Sequence, residues 1–69
     1  MNDETKIYIK KFEEQIGEPK PPKIIRYTIP ENDLFDAQLA AKQLVEWNVI
    51  INYKLIIKPS HYELLLYTR

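Results

Sequence analysis

The chain has 69 residues, ten basic and ten acidic side chains, one histidine, one glycine and no cysteine. That length allows one domain, and the missing cysteine excludes disulfides, thiolate metal sites and thiol redox chemistry. The zero net charge argues against a strong non-specific polyanion binder.

The halves are nearly balanced as well. Met1 to Ile29 carries six basic and five acidic groups, and Pro30 to Arg69 carries four and five. No apolar run approaches the ~18 residues of a membrane span. The opening Asn2-Asp3-Glu4 is polar and acidic, which is not the pattern of a secretory signal. These features fit a cytoplasmic protein, with no membrane among its partners. A domain this short buries only about 60% of its unfolded surface. With no disulfide or metal to staple it, oligomerisation is the remaining route to extra stability.

In chain order, Asp3 to Ile16 comes first. Ile9, Phe12 and Ile16 lie at helical spacing, with Tyr8 four residues before Phe12. Gly17 stands where a C-terminal cap belongs, so residues 3–17 are expected to form an N-terminal helix. A short strand over Lys6 to Phe12 competes, because Ile7 and Ile9 alternate with polar neighbours. Glu18-Pro19-Lys20-Pro21-Pro22 follows. Three prolines in four positions favour a stiff, extended connector.

Residues 23–69 are expected to form a β-α-β-β core. Lys23 to Ile29 is a strand, with Ile25, Tyr27 and Ile29 on one face and Ile24, Arg26 and Thr28 on the other. A helix over residues 33–47 comes next. Asn32 or Asp33 is placed to cap it, and Glu31, Asp33 and Asp36 crowd its positive end. Leu34, Ala37, Ala41, Leu44, Val45 and Asn48 follow the helical period, and Phe35 and Leu39 widen the apolar arc. Phe35 and Trp47 are expected in the core, with Trp47 closing one end of the sheet.

The last segment is a hairpin. Val49, Ile51, Tyr53, Leu55 and Ile57 occupy alternate positions and share a face. Pairing Ile57 with Tyr62, Leu55 with Leu64 and Tyr53 with Leu66 puts six apolar side chains on one side. A one-residue slip would mix the faces. The loop then runs over the four residues Lys58 to His61, with Pro59 second in a type I turn. The expected fold is therefore α+β in the order α-β-α-β-β. It has a three-stranded sheet, the central helix on one face and a C-terminal hairpin. Strand order is open.

The opposite sheet face is the candidate site. It interleaves Ile50, Ile56, Leu65 and Tyr67 with Asn52, Lys54 and Lys58, and with His61, Glu63 and Arg69. Mixed polar and apolar surfaces of this kind resemble interfaces. Two covers are open: the N-terminal helix folded across it, or a second molecule. The contact residues expected are Ile50, Lys54, Ile56, Leu65 and Tyr67, and a homodimer is the expected assembly, helped by two open sheet edges.

Chemistry is sparse. Catalytic, cofactor-binding and metal residues are all expected to be none. Ser60 and His61 are adjacent turn residues with no third orienting group evident. Glu31, Asp33 and Asp36 are explained by the helix start, and their spacing fits no calcium loop. The leading expectation is a small non-catalytic protein that binds another macromolecule. Accessory proteins of phages and mobile elements share this size and composition. The rival is a small nucleic-acid-binding protein that uses the basic outer face of the sheet, where Tyr67 could stack a base.

Overall fold

The computed structural model describes residues 3–17 and 22–69. Helix α1 spans Asp3–Ile16, strand β1 Ile24–Ile29, helix α2 Leu34–Glu46, strand β2 Ile50–Ile57 and strand β3 Tyr62–Thr68. A single 3-10 turn, Glu31–Asp33, leads into α2. The α-β-α-β-β order is the one expected. Of the proline-rich connector, residues 18–21 lie outside the described residues.

The sheet order is β1-β3-β2, and β3 runs antiparallel to both neighbours. β1 and β2 are therefore parallel to each other, with β3 between them. Among the described residues β3 is the only strand with two partners, which accounts for its burial: Leu64, Leu65, Leu66 and Thr68 are all buried. The hairpin pairs Ile57 with Tyr62, Leu55 with Leu64 and Tyr53 with Leu66, as the hydrophobic pattern requires. The Lys58 N–H donates to the His61 carbonyl at 2.9 Å and closes the four-residue loop.

The register breaks at one place. Ile50 pairs with Thr68 and Asn52 with Tyr67, so Ile51 is an extra residue with no partner of its own. This is a β-bulge. It reverses the facing of Ile50 relative to strict alternation. Ile50 is 1% exposed and lies in the core, while Ile51 is 61% exposed. Strict alternation had placed them the other way round, so Ile50 is removed from the outer face and from the candidate contact residues.

Both helices lie on the same side of the sheet. Tyr8, Ile9, Phe12 and Ile16 of α1 join Ala37, Ala40, Ala41 and Leu44 of α2 and Ile29, Leu64 and Leu66 of the sheet in one core. The small alanines let α2 approach its neighbours closely. The Phe12 and Tyr27 rings lie 4.8 Å apart, and the Tyr27 hydroxyl donates to the Lys11 carbonyl at 3.0 Å. Of the two covers open for the outer face, α1 is thus excluded: it packs on the inner side.

Two side-chain hydrogen bonds tie α1 to the start of α2. The Tyr8 hydroxyl donates to Asp33 Oδ2 at 2.6 Å, and the Thr5 hydroxyl donates to Asp36 Oδ1 at 3.2 Å. Burial, then the bond to Asp33 and the nearby carboxylates, push the Tyr8 hydroxyl far above its ordinary pKa. Asp33 occupies the N-cap position of α2, yet its side chain makes no capping bond. The carboxylate expected to cap the helix serves tertiary packing instead.

Both helices end in left-handed residues. Gly17 has φ +51° and its N–H reaches the Glu13 carbonyl. Asn48 has φ 62°, and so it terminates α2 where the helical stripe had included it. The Asn48 N–H bonds to the Val45 carbonyl and the Val49 N–H to the Leu44 carbonyl. That pair of bonds is a Schellman motif, with asparagine in place of the usual glycine.

Candidate functional site

With both helices on one side, the other face of the sheet has no cover among the described residues. The pairing arranges it in three rows. Ile24, Tyr67 and Asn52 form the first, Arg26, Leu65 and Lys54 the second, Thr28, Glu63 and Ile56 the third. Four of the five expected contact residues therefore stand together on this face: Lys54, Ile56, Leu65 and Tyr67. Ile24 and Arg26 join them from β1, a strand whose position the sequence left open.

Leu65 is only 8% exposed although it sits on an open face. Its cross-strand neighbours are Arg26 and Lys54. Long cationic side chains at such positions can cover an apolar neighbour with their stems while their charged ends stay in water. The centre of the face is thus a largely covered leucine between two cations. Arg69 does not belong to it, because its guanidinium donates to the Asn48 carbonyl at 3.0 Å.

Glu63 is the acidic residue of the face. One carboxylate oxygen lies 3.8 Å from Arg26 Nε and the other 3.1 Å from His61 Nε2. The hydrogen bond from His61 holds the Glu63 carboxyl below its ordinary pKa. Burial works against that shift, and the charges of Arg26, Lys58 and His61 add to it.

His61 Nδ1 also lies 3.0 Å from Ser60 Oγ. Serine, histidine and glutamate therefore form a continuous chain, with Glu63 as the third group that sequence reading had not identified. With neutral histidine, Nε2–H donates to Glu63 and Nδ1 accepts from the Ser60 hydroxyl. The order is that of a nucleophile, a base and an orienting carboxylate. However, it links near neighbours in sequence at an exposed hairpin turn, as local turn hydrogen bonding does. Its evident effect is to orient His61 and to compensate Glu63. A cleft of about 320 Å³ beside it is lined by Thr28 and Ile29 at the end of β1 and by Lys58 to Tyr62.

A second hollow, of about 530 Å³, opens where Tyr67 meets the β2 edge, bordered by Ile51, Asn52, Tyr53 and Lys54. The Asn52 side-chain oxygen accepts the Tyr53 N–H at 2.9 Å. That bond fixes the amide and leaves its Nδ2 to donate.

The fold also sorts charge by layer. The helical layer, α1 together with residues 31–46, carries eight acidic and four basic side chains. The outer sheet face carries Arg26, Lys54 and Lys58 against the single carboxylate of Glu63. Neutrality along the chain conceals this because acidic and basic residues alternate by element.

Two residues expected in the core are on the surface: Phe35 is 70% and Trp47 53% exposed. α2 needs only a narrow stripe, its alanines with Leu44, to meet α1 and the sheet. Phe35 lies outside that stripe, and Trp47 falls in the turn beyond the helix. Leu39, one turn after Phe35, is also exposed. The acids at the start of α2 are engaged separately, Asp33 by Tyr8 and Asp36 by Thr5. Among the described residues no group of three or more histidine or acidic side chains could hold a metal ion, and no helix is long and apolar enough to cross a membrane.

No protein-family model, curated protein or solved structure matches the chain.

Proposed function

We propose that the protein is a small non-catalytic interaction module that binds another macromolecule through the outer face of its sheet. The observation that carries this reading is the placement of both helices on one side. It leaves Ile56 and Tyr67 partly exposed on that face, on either side of the row formed by Arg26, Leu65 and Lys54. A surface that mixes apolar and cationic groups in this way has the make-up of a recognition patch.

Site-specific photo-crosslinking in the source cells tests this. Benzoylphenylalanine in place of Ile56 should form a discrete adduct, whereas the same group in place of Lys42, exposed on α2, should not. No adduct from position 56, or equal yields from both positions, would overturn the proposal.

A homodimer is the second arrangement, supported by the small size and by two edge strands open to pairing. Pairing two outer faces would set like charges against each other. A dimer built that way should strengthen as salt rises, and light scattering at low and high salt would show it.

A further inference from the structure

We infer that the occupant of the outer face is a single-stranded nucleic acid, with one base seated on Tyr67; this rests on the interaction reading above. Three features of the face converge on that ligand. The first is charge. Arg26, Lys54 and Lys58 outnumber the one carboxylate, Glu63, and the excess of acid lies on the helical layer behind. A polyanion is therefore drawn to the sheet side and repelled from the other.

The second is the hollow beside Tyr67. Within it an aromatic ring, an amide with a free donor and an ammonium group adjoin one another: Tyr67, Asn52 and Lys54. A nucleotide presents the matching groups, namely a π face to stack, polar base edges and a phosphate. An acidic peptide would use the lysine and leave the ring and amide without purpose. The hollow is open rather than enclosed, so a base has direct access to the ring.

The third is form. The face is a shallow three-stranded surface with an aromatic on its central strand, to which splayed bases have direct access. A duplex offers its bases only within grooves, and no described element projects from this face to enter one.

The test is fluorescence anisotropy of the full chain with three labelled probes: a mixed-sequence single-stranded 12-mer, its duplex, and oligoglutamate of equal charge. The single strand should bind with Kd of about 1–100 µM, the range of sequence-independent binding. The slope of log affinity on log salt should be about −2, as about three phosphate contacts imply for single strands.

Tyr67→Ala should weaken the single strand by about five- to 150-fold, the value of one stacked base, and leave oligoglutamate unchanged. Tyr67→Leu keeps apolar bulk in the sheet and removes the ring, and it should show the same selective loss with an unchanged circular dichroism spectrum. Lys54→Gln should lower the salt slope by about 0.7.

Equal binding of oligoglutamate, indifferent to both Tyr67 substitutions, would overturn the inference in favour of an acidic protein partner. So would a failure to bind the single strand at millimolar protein. In either case a position-56 adduct that is sensitive to protease and resistant to nuclease would leave the interaction reading standing. Loss of that adduct altogether would remove both.

Discussion

The bulge in β2 makes neighbouring isoleucines unequal, and a pair of identical substitutions measures the difference. Ile50 is buried against Thr68 and Ile51 projects into solvent. Truncating a fully buried isoleucine to alanine costs about 2–5 kcal/mol in lost transfer energy and cavity. At an exposed position the cost stays within about 0.5 kcal/mol. Urea unfolding of a small domain has a slope near 1 kcal/mol/M. Ile50→Ala should therefore lower the midpoint by about 2 M or more, and Ile51→Ala by about 0.5 M or less. A domain of this length has a total stability of only about 3–10 kcal/mol, so Ile50→Ala could unfold outright. Ile50→Val, at about 0.5–1.5 kcal/mol, then supplies a graded reading. The reasoning fails if Ile51→Ala proves the more damaging of the two. That outcome would mean uninterrupted alternation, with Ile50 on the outer face after all.

Three further outcomes are expected. Glu63 has a lowered pKa in the folded protein, so its contribution to stability is present above the unfolded carboxylate pKa and lost as pH falls through the folded value. The gap between wild type and Glu63→Gln in urea unfolding should thus be widest near neutral pH and close on acidification; a gap that widens on acidification would contradict the assignment. Thr68→Val should cost about 1–3 kcal/mol, because its buried hydroxyl accepts the Lys23 N–H at 2.7 Å and donates to the Lys23 carbonyl at 3.0 Å; an unchanged melting temperature would show that this clip contributes nothing. Asn48→Gly should hold or raise the melting temperature and Asn48→Ala should lower it, the left-handed backbone costing alanine about 1 kcal/mol; the opposite order would show that the α2 terminus does not depend on φ.

The parts of the fold visible in the sequence were those written as uninterrupted period. The hairpin register followed from alternation between Tyr53 and Leu66, since only one pairing keeps six apolar groups together. The α1 stripe of Ile9, Phe12 and Ile16 favoured a helix over the competing strand, and all three are buried. What was hidden depended on long-range choices. Periodicity says that a face is apolar but not which surface it meets, so the docking side of α1 was open until Phe12 was seen against Tyr27. The bulge adds one residue without a glycine to mark it, and so Ile50 was assigned to the wrong face. Phe35 and Trp47 were judged by residue type, whereas exposure was decided by how narrow a stripe α2 needs. Of the candidate site, Lys54, Ile56, Leu65 and Tyr67 could be found by alternation within the hairpin. Alternation put Ile24 and Arg26 on one face of β1, but their place beside the hairpin depends on β1 lying next to β3. Glu63 was seen only as a balancing charge, since its contact with Arg26 spans strands whose adjacency was unknown.

The placement of β3 between β1 and β2 has a consequence for biosynthesis. Both outer strands are translated before the strand that joins them, and Ile24 finds its partner only when Tyr67 has been made. A nascent chain can form α1 and α2 early, but it cannot close the sheet until residue 68 has cleared the ribosome. During that interval the core-facing side chains of β1 and β2 have no central strand to shelter them, and long-range pairings of this kind are slow to form. The same arrangement makes the sheet intolerant of early termination. A chain stopped before Tyr62 would lose the contact between its two remaining strands, and with it the outer face on which binding is proposed to depend.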